Sequence, residues 1–207
     1  PTDEIHILIK DIDGDGDVIR TGGVLGYFWA RDNYRKDTYT YSNERIMFYL
    51  DSVFLATPEG ASWDITDRWP GIIISTLAHE FQHMINFYQK WVIFGANPET
   101  WLNEMCSLAA EDFVADKLGV PGPRGIDPAD YTAGSPPVTA GRLPLFNYYN
   151  DDELTFWPEP DYFDEYRVYR SYAIAYAFGA YLARNFGGAV LFRNIVQSDK
   201  TSTDAVE

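Results

Sequence analysis

The chain has 207 residues and carries 16 Lys and Arg against 31 Asp and Glu, which gives a formal net charge of −15. Phosphate backbones and anionic membrane surfaces are bound mainly by clusters of Lys and Arg, so this balance argues against both as partners. The hydrophobic fraction of 46% is typical of a globular chain, and no apolar run approaches the roughly 20 residues that a membrane helix needs. We therefore expect a single domain over residues 1–207 without membrane insertion.

The single cysteine, Cys106, excludes an internal disulfide and a Cys-rich zinc module. The chain begins at Pro1 with neither an initiator Met nor a signal-peptide pattern. We therefore expect that a pro-region or flanking domains are missing from it. For the whole protein we expect a secreted or cell-envelope location.

Residues 1–69 read as a small N-terminal sheet subdomain. Extended segments are predicted at 5–9, 24–29 and 45–51, each rich in β-branched or aromatic residues. In the third segment apolar residues alternate, so that Ile46, Phe48 and Leu50 share one face.

An acidic loop follows the first of these segments. Asp11-Ile12-Asp13-Gly14-Asp15-Gly16 matches the beginning of an EF-hand-type calcium loop, in which oxygens at alternate positions converge on the ion. The twelfth position of such a loop is a bidentate Glu, but here it is Gly22. Calcium bound by Asp11, Asp13 and Asp15 is one hypothesis, and a plain acidic turn is the other.

The period of the apolar residues changes at Pro70. Between there and residue 118 the spacing of three and four residues predicts two helices, one over 71–89 and one that begins after Asn97-Pro98 and ends near Gly119. Residues 119–166 hold 8 of the 12 prolines and many aromatics, which predicts an ordered loop region. Helical spacing returns over 169–186, and C-terminal helices are expected to complete the domain.

The first predicted helix contains His79-Glu80-Phe81-Gln82-His83, an H-E-x-x-H sequence. Two His at positions i and i+4 lie one turn apart on one face, so both imidazoles can reach a single Zn²⁺ at ~2.0–2.1 Å. Glu80 lies about 100° around the helix, beside the metal and outside its ligand set. A surface helix that carries these residues by chance is the alternative, but the apolar run before His79 indicates burial.

A catalytic zinc needs a third protein ligand. His6 is the one other His, and it lies in a strand remote in sequence. Glu104, 21 residues after His83, lies on the second helix, and an antiparallel return brings it level with the two His. Three other carboxylates on that helix compete with it: Glu111, Asp112 and Asp116.

The H-E-x-x-H motif followed by Trp101-Leu102-Asn103-Glu104 resembles the gluzincin metallopeptidases, and most of all the hyicolysin family of neutral zinc metallopeptidases. The resemblance implies an α+β, zincin-like catalytic domain with a small N-terminal sheet, the H-E-x-x-H helix, a glutamate helix and a mostly helical C-terminal part. It implies zinc ligation by His79, His83 and Glu104, with Glu80 as general base. It also implies that the strand at 46–51 binds an extended peptide, and that Tyr169 or Tyr172 stabilises the oxyanion.

The predicted function is a zinc-dependent endopeptidase that hydrolyses peptide bonds with a zinc-activated water, acting on a protein or peptide substrate. Two alternatives stand beside it. One is a zincin-like binding or adhesion module with structural zinc, and the other is a zinc hydrolase of a non-peptide substrate. Glu80 argues against the first, because a module that only holds metal has no use for it.

Overall fold

The computed structural model describes residues 4–12, 24–52, 68–120, 122, 141–158 and 165–207. Within these ranges the chain is α+β, with a small mixed sheet and a mostly helical remainder. It divides into two compact units, Pro1–Met84 and Ile85–Glu207. The division falls inside one continuous helix, α1 (Arg68–Asn86). None of the described helices is long and apolar enough to span a bilayer.

The first unit holds a three-stranded sheet in which β1 (His6–Lys10) and β2 (Gly26–Phe28) flank β3 (Met47–Asp51). β1 pairs with β3 in parallel and β2 pairs with β3 antiparallel. All five residues of β3 are buried. The expectation that the strand at 46–51 binds an extended peptide is therefore wrong, because both edges of this strand are already paired within the sheet.

The strand β2 packs directly against helix α1. A Cβ built on Gly26 would lie 2.7 Å from the Tyr49 carbonyl oxygen and 2.8 Å from Cγ2 of Thr76, on α1. Only glycine allows so close an approach of strand and helix. The edge strand β2 is thus in contact with α1 one turn before the first histidine of the motif.

A buried hydrogen-bond network around Asp32 holds the Tyr49 side chain of β3. Asp32, fully buried, accepts a hydrogen bond of 2.6 Å from the Tyr49 hydroxyl and two of 2.9 Å from the backbone and side-chain amides of Asn43. The Tyr27 ring stacks on Tyr49 at 4.3 Å. Burial, with a smaller contribution from the Asp32 carboxylate, raises the pKa of Tyr49.

Helix α1 begins before Pro70, which is tolerated because the first amides of a helix have no intrahelical acceptor. The helix ends at Asn86 and passes into a π-helix over Phe87–Ile93. The predicted helix over roughly 71–89 is thus present, and the π turns carry the helical path four residues beyond its expected end. The π-helix ends at Ile93, and Gly95 two residues later takes the left-handed conformation, with φ of +66°.

The second unit is built around helix α2 (Thr100–Leu118), which is buried on several faces. The helix ends at Leu118, close to the predicted end near Gly119, and Gly119 follows it in the left-handed conformation. Helix α4 (Glu165–Asn185) packs antiparallel to α2: its Gly179 lies against Met105, whereas Tyr176 donates a hydrogen bond of 2.7 Å to Asp112. The core between α2, α4 and the C-terminal residues is aromatic and aliphatic, with Trp101, Met105, Tyr176 and Phe192 among its members.

Two further helices complete this unit: α3 (Arg142–Tyr148) and α5 (Ala189–Val196). Helix α3 lies inside the stretch predicted as a loop. The residues after it are fixed to α4 through Asp152, whose carboxylate oxygens lie 3.2 Å from Arg170 and 3.7 Å from Arg167. The guanidinium of Arg170 also stacks on Tyr149 at 4.0 Å, so the prediction of an ordered, aromatic-rich region holds for the described part.

Lys90, on the π-helix, is 1% exposed and anchors the C-terminal residues. Its Nζ donates hydrogen bonds to the carbonyl oxygens of Ile195 at 2.6 Å, Ser198 at 2.9 Å and Lys200 at 2.7 Å, and to the Ser198 hydroxyl at 3.1 Å. Burial lowers the pKa of Lys90. The ammonium closes the carboxyl end of α5, where carbonyl groups lack intrahelical donors.

Candidate metal centre

The two histidines of the motif lie where the sequence predicted, one turn apart on α1. Their ring centroids are 4.6 Å apart and the ring planes are nearly perpendicular, at 80°. His79 is 9% exposed, while His83 is half-buried. Of the two rings, that of His79 is shielded from solvent and that of His83 is more accessible.

Glu104, on α2, completes a group with the two histidines. One ligand atom from each of His79, His83 and Glu104 lies within 4.8 Å of the other two. Glu104 is 9% exposed, so it is not an ordinary surface charge. Of the residues that the structure describes, these three form the one such group of potential metal ligands.

The donor set fits zinc by its chemistry. Two imidazole nitrogens and a carboxylate oxygen are the ligands of one common type of catalytic zinc site. The ligands of a tetrahedral zinc ion at ~2.1 Å lie roughly 3.4 Å apart, a spacing that is compatible with ligand atoms within 4.8 Å of one another. Three ligands leave a fourth position open, as a catalytic site requires.

Glu80 follows His79 directly and is 6% exposed. The helical turn of about 100° per residue directs it away from the shared face of the histidines, and it is not a member of the ligand group. Its position beside the group, together with its burial, is what a base that exchanges a proton near the metal requires.

The competing ligands lie elsewhere. His6 is on β1, paired in register with Met47. Asp112 is the acceptor of the Tyr176 hydroxyl, and Asp116 is exposed. Glu111 is buried but belongs, like the other three, to no ligand group among the described residues.

Tyr169 and Tyr172, the two tyrosines considered for the oxyanion, both lie on α4. The Tyr172 ring is in edge contact with Trp157 at 5.0 Å, and the Arg142 guanidinium lies 4.9 Å from the centre of the same ring. A role for either tyrosine at the oxyanion stays a prediction.

Two other sequence hypotheses have different outcomes. Cys106 is 3% exposed, and burial raises its pKa to about 12, so it acts as a small buried hydrophobe rather than as a nucleophile or ligand. Of the predicted calcium ligands, Asp13 and Asp15 lie outside the described residues. Asp11 alone is described, and it belongs to no ligand group.

Asn86, on the same helix as the two histidines, contacts the residue before Glu104, which was not expected from the sequence. Its Nδ2 donates a hydrogen bond of 2.5 Å to Oδ1 of Asn103, the residue before Glu104. The signal was present in the spacing, since residues 79, 83 and 86 follow the i, i+4, i+7 rule for one helical face. Only the structure shows that an asparagine on α2 meets it.

Two histidines one turn apart, a glutamate on a neighbouring helix and a further glutamate beside them are an arrangement typical of metal-dependent hydrolases. Comparison with known proteins agrees with this class. The family model described as Peptidase M30 matches residues 2–207, so the chain belongs to the Peptidase M30 family. It is also similar to the neutral metalloprotease ShpI of Staphylococcus hyicus, with 29% identity over 212 residues. That match covers 99% of this chain and 40% of the relative, so the chain spans about two-fifths of the relative's length.

Proposed function

We propose that this chain is the catalytic domain of a zinc-dependent endopeptidase of gluzincin type. His79, His83 and Glu104 hold the metal, and Glu80 is the general base. The observation that carries the proposal is the convergence of the three ligand atoms to within 4.8 Å, in a chain of a peptidase family. The name of the relative, a neutral metalloprotease, supports the same activity.

The chain's own residues divide the work of hydrolysis. When bound, the zinc ion supplies a Lewis acid that polarises the scissile carbonyl and acidifies a water molecule. The imidazoles of His79 and His83 and the carboxylate of Glu104 hold the ion in place, while the Glu80 carboxylate takes a proton from the attacking water and transfers it to the leaving amine. Burial of Glu80 keeps bulk water from competing for that proton.

The edge strand β2 is the part of the sheet best suited to hold an extended substrate. Within the described sheet β3 is central, and of the two outer strands β2 is the one seated on α1 through Gly26 and Thr76. Thr76 lies three residues before His79, so a peptide added to the outer edge of β2 passes along the helix that carries the histidines. A protein or peptide substrate is thus proposed, and a secreted location is the corresponding expectation for the whole protein.

The test measures zinc content and peptide hydrolysis for the purified chain and three variants. Wild type is expected to bind one zinc and to cleave casein or a peptide library. Glu80→Gln should keep the zinc and lose roughly 10²–10⁴-fold in kcat, whereas Glu104→Ala should lose the zinc. Asp116→Asn, an exposed acid on the same helix as Glu104, is the matched control and should change neither.

Two results would contradict the proposal. Stoichiometric zinc without cleavage of any peptide would refute the endopeptidase and favour a binding module or a hydrolase of another substrate. Zinc retained at wild-type affinity by Glu104→Ala would refute the assignment of the third ligand.

A further inference from the structure

The hydrogen bond between Asn86 and Asn103 links the end of helix α1 to the beginning of helix α2. Asn86 is the last residue of α1 and is 2% exposed. Asn103 lies in the first turn of α2, directly before Glu104. The 2.5 Å distance between Nδ2 of Asn86 and Oδ1 of Asn103 is short for an amide pair.

Helix geometry places this bond on the face of α1 that carries the histidines. His79, His83 and Asn86 are related by steps of four and three residues, so they form one row along the helix. Asn86 is therefore the next residue of the ligand row after His83, about one turn further on. The row meets α2 at Asn103, whose neighbour is the third ligand.

Stability alone does not account for an amide at this position. Oδ1 of Asn86 is buried without a hydrogen-bond partner among the described residues, and a buried polar atom left in that state costs about 1–3 kcal/mol. An apolar side chain at a site 2% exposed would avoid that cost. A buried polar group of this kind calls for a role other than packing.

We propose that Asn86 and Asn103 are positioning residues for the metal ligands: their hydrogen bond holds Glu104 at the level of His79 and His83. The inference rests on the proposed metal site and names residues beyond it. A ligand carried on a separate helix binds well only if that helix is fixed against the other, and groups that orient ligands contribute substantially to metal affinity.

The experiment compares zinc affinity, measured by competition with a chromogenic chelator, with thermal stability in the same set of variants. Asn86→Leu and Asn103→Leu remove the hydrogen bond while conserving size, and each should weaken zinc binding roughly 10–100-fold. The double variant should weaken it no further than either single variant, because one bond is lost in all three. Asn103→Asp keeps an acceptor for the Asn86 amide and should restore affinity to near wild type.

Tyr176→Phe is the matched control. It removes another buried hydrogen bond of the second unit, from the Tyr176 hydroxyl to Asp112, eight residues beyond Glu104. It should lower the melting temperature and leave zinc affinity unchanged. If Asn86→Leu does not fold, Asn103→Leu decides, since Asn103 is half-buried and tolerates the change better.

The outcomes separate this inference from the function on which it rests. Folded leucine variants that bind zinc as tightly as wild type would overturn the positioning role, with the metal site intact. Equal loss of zinc affinity in Tyr176→Phe would also overturn it, because affinity would then follow general stability. If wild type binds no zinc, the proposed metal site itself fails and the positioning role fails with it.

Discussion

Replacing Lys90 with Met tests how much a single buried ammonium contributes to the fold of the second unit. Met conserves most of the length of the side chain and removes the charge and its donors. The Ile195 carbonyl keeps another donor, since the Ser198 hydroxyl also bonds to it at 2.9 Å. The carbonyls of Ser198 and Lys200 each lose a charged donor.

The size of the effect follows from these contacts. Hydrogen bonds to a charged group contribute about 1.5–3 kcal/mol each, and two lost bonds give about 3–6 kcal/mol. Removing the ammonium also removes the cost of burying it, so we expect a net loss of about 3 kcal/mol in the free energy of unfolding. For a chain of this size that corresponds to a melting temperature lower by about 6–12 °C.

Thermal unfolding followed by circular dichroism measures this shift, and hydrogen exchange of residues 195–206 locates it. Lys117→Met, at an exposed position in the last turn of α2, is the control and should cost no more than about 0.5 kcal/mol. A melting temperature for Lys90→Met within 2 °C of the Lys117→Met value, on the order of half a kcal/mol, would refute the contribution assigned to the bonds that Lys90 makes with the Ser198 and Lys200 carbonyls.

Three further predictions concern close packing, alkaline pH and burial. Gly26→Ala should lower the free energy of unfolding by about 1–3 kcal/mol in urea denaturation, because its Cβ would overlap Thr76. The control is Gly71→Ala, whose Cβ has nothing within 4 Å and which should stabilise α1 by up to about 1 kcal/mol. Equal effects of the two substitutions would contradict the close packing at Gly26. The neutral Tyr49 hydroxyl stabilises the fold fully below its ordinary pKa of 10.0, and this stabilisation is lost as the pH rises through the raised pKa of the folded state. The free energy of unfolding of Tyr49→Phe should therefore fall less steeply with alkaline pH than that of wild type. Cys106 should resist a thiol reagent in the native protein and react on unfolding in urea; rapid native labelling would disprove its burial.

The helix that carries His79 and His83 could be predicted because its signals are local. The H-E-x-x-H spacing and the apolar period both lie within one helix, and Gly119 marks the end of the next one by its own backbone preference. Glu104 followed from the expectation that the second helix returns beside the first, which a short connection favours.

What the sequence missed depends on contacts between distant segments. The central place of β3 is decided by pairing with strands remote in sequence, and alternation along one strand carries no information about its neighbours. The short helix α3 was not predicted because it lies in a proline-rich stretch with weak local helix propensity, where packing against α4 stabilises the helix. Asn86 looked like any polar residue near a helix end until Asn103 was seen to meet it.

The anchor formed by Lys90 has a consequence for the metal-free protein. Three carbonyls and a hydroxyl around a positive charge are the kind of oxygen cage in which many proteins hold a dissociable ion. Here the cation is part of the chain, so no chelator, dialysis or dilution can remove it. If the proposed site binds zinc, removing the metal with a chelator should therefore leave the C-terminal residues docked on Lys90, and the metal-free protein should rebind zinc without refolding.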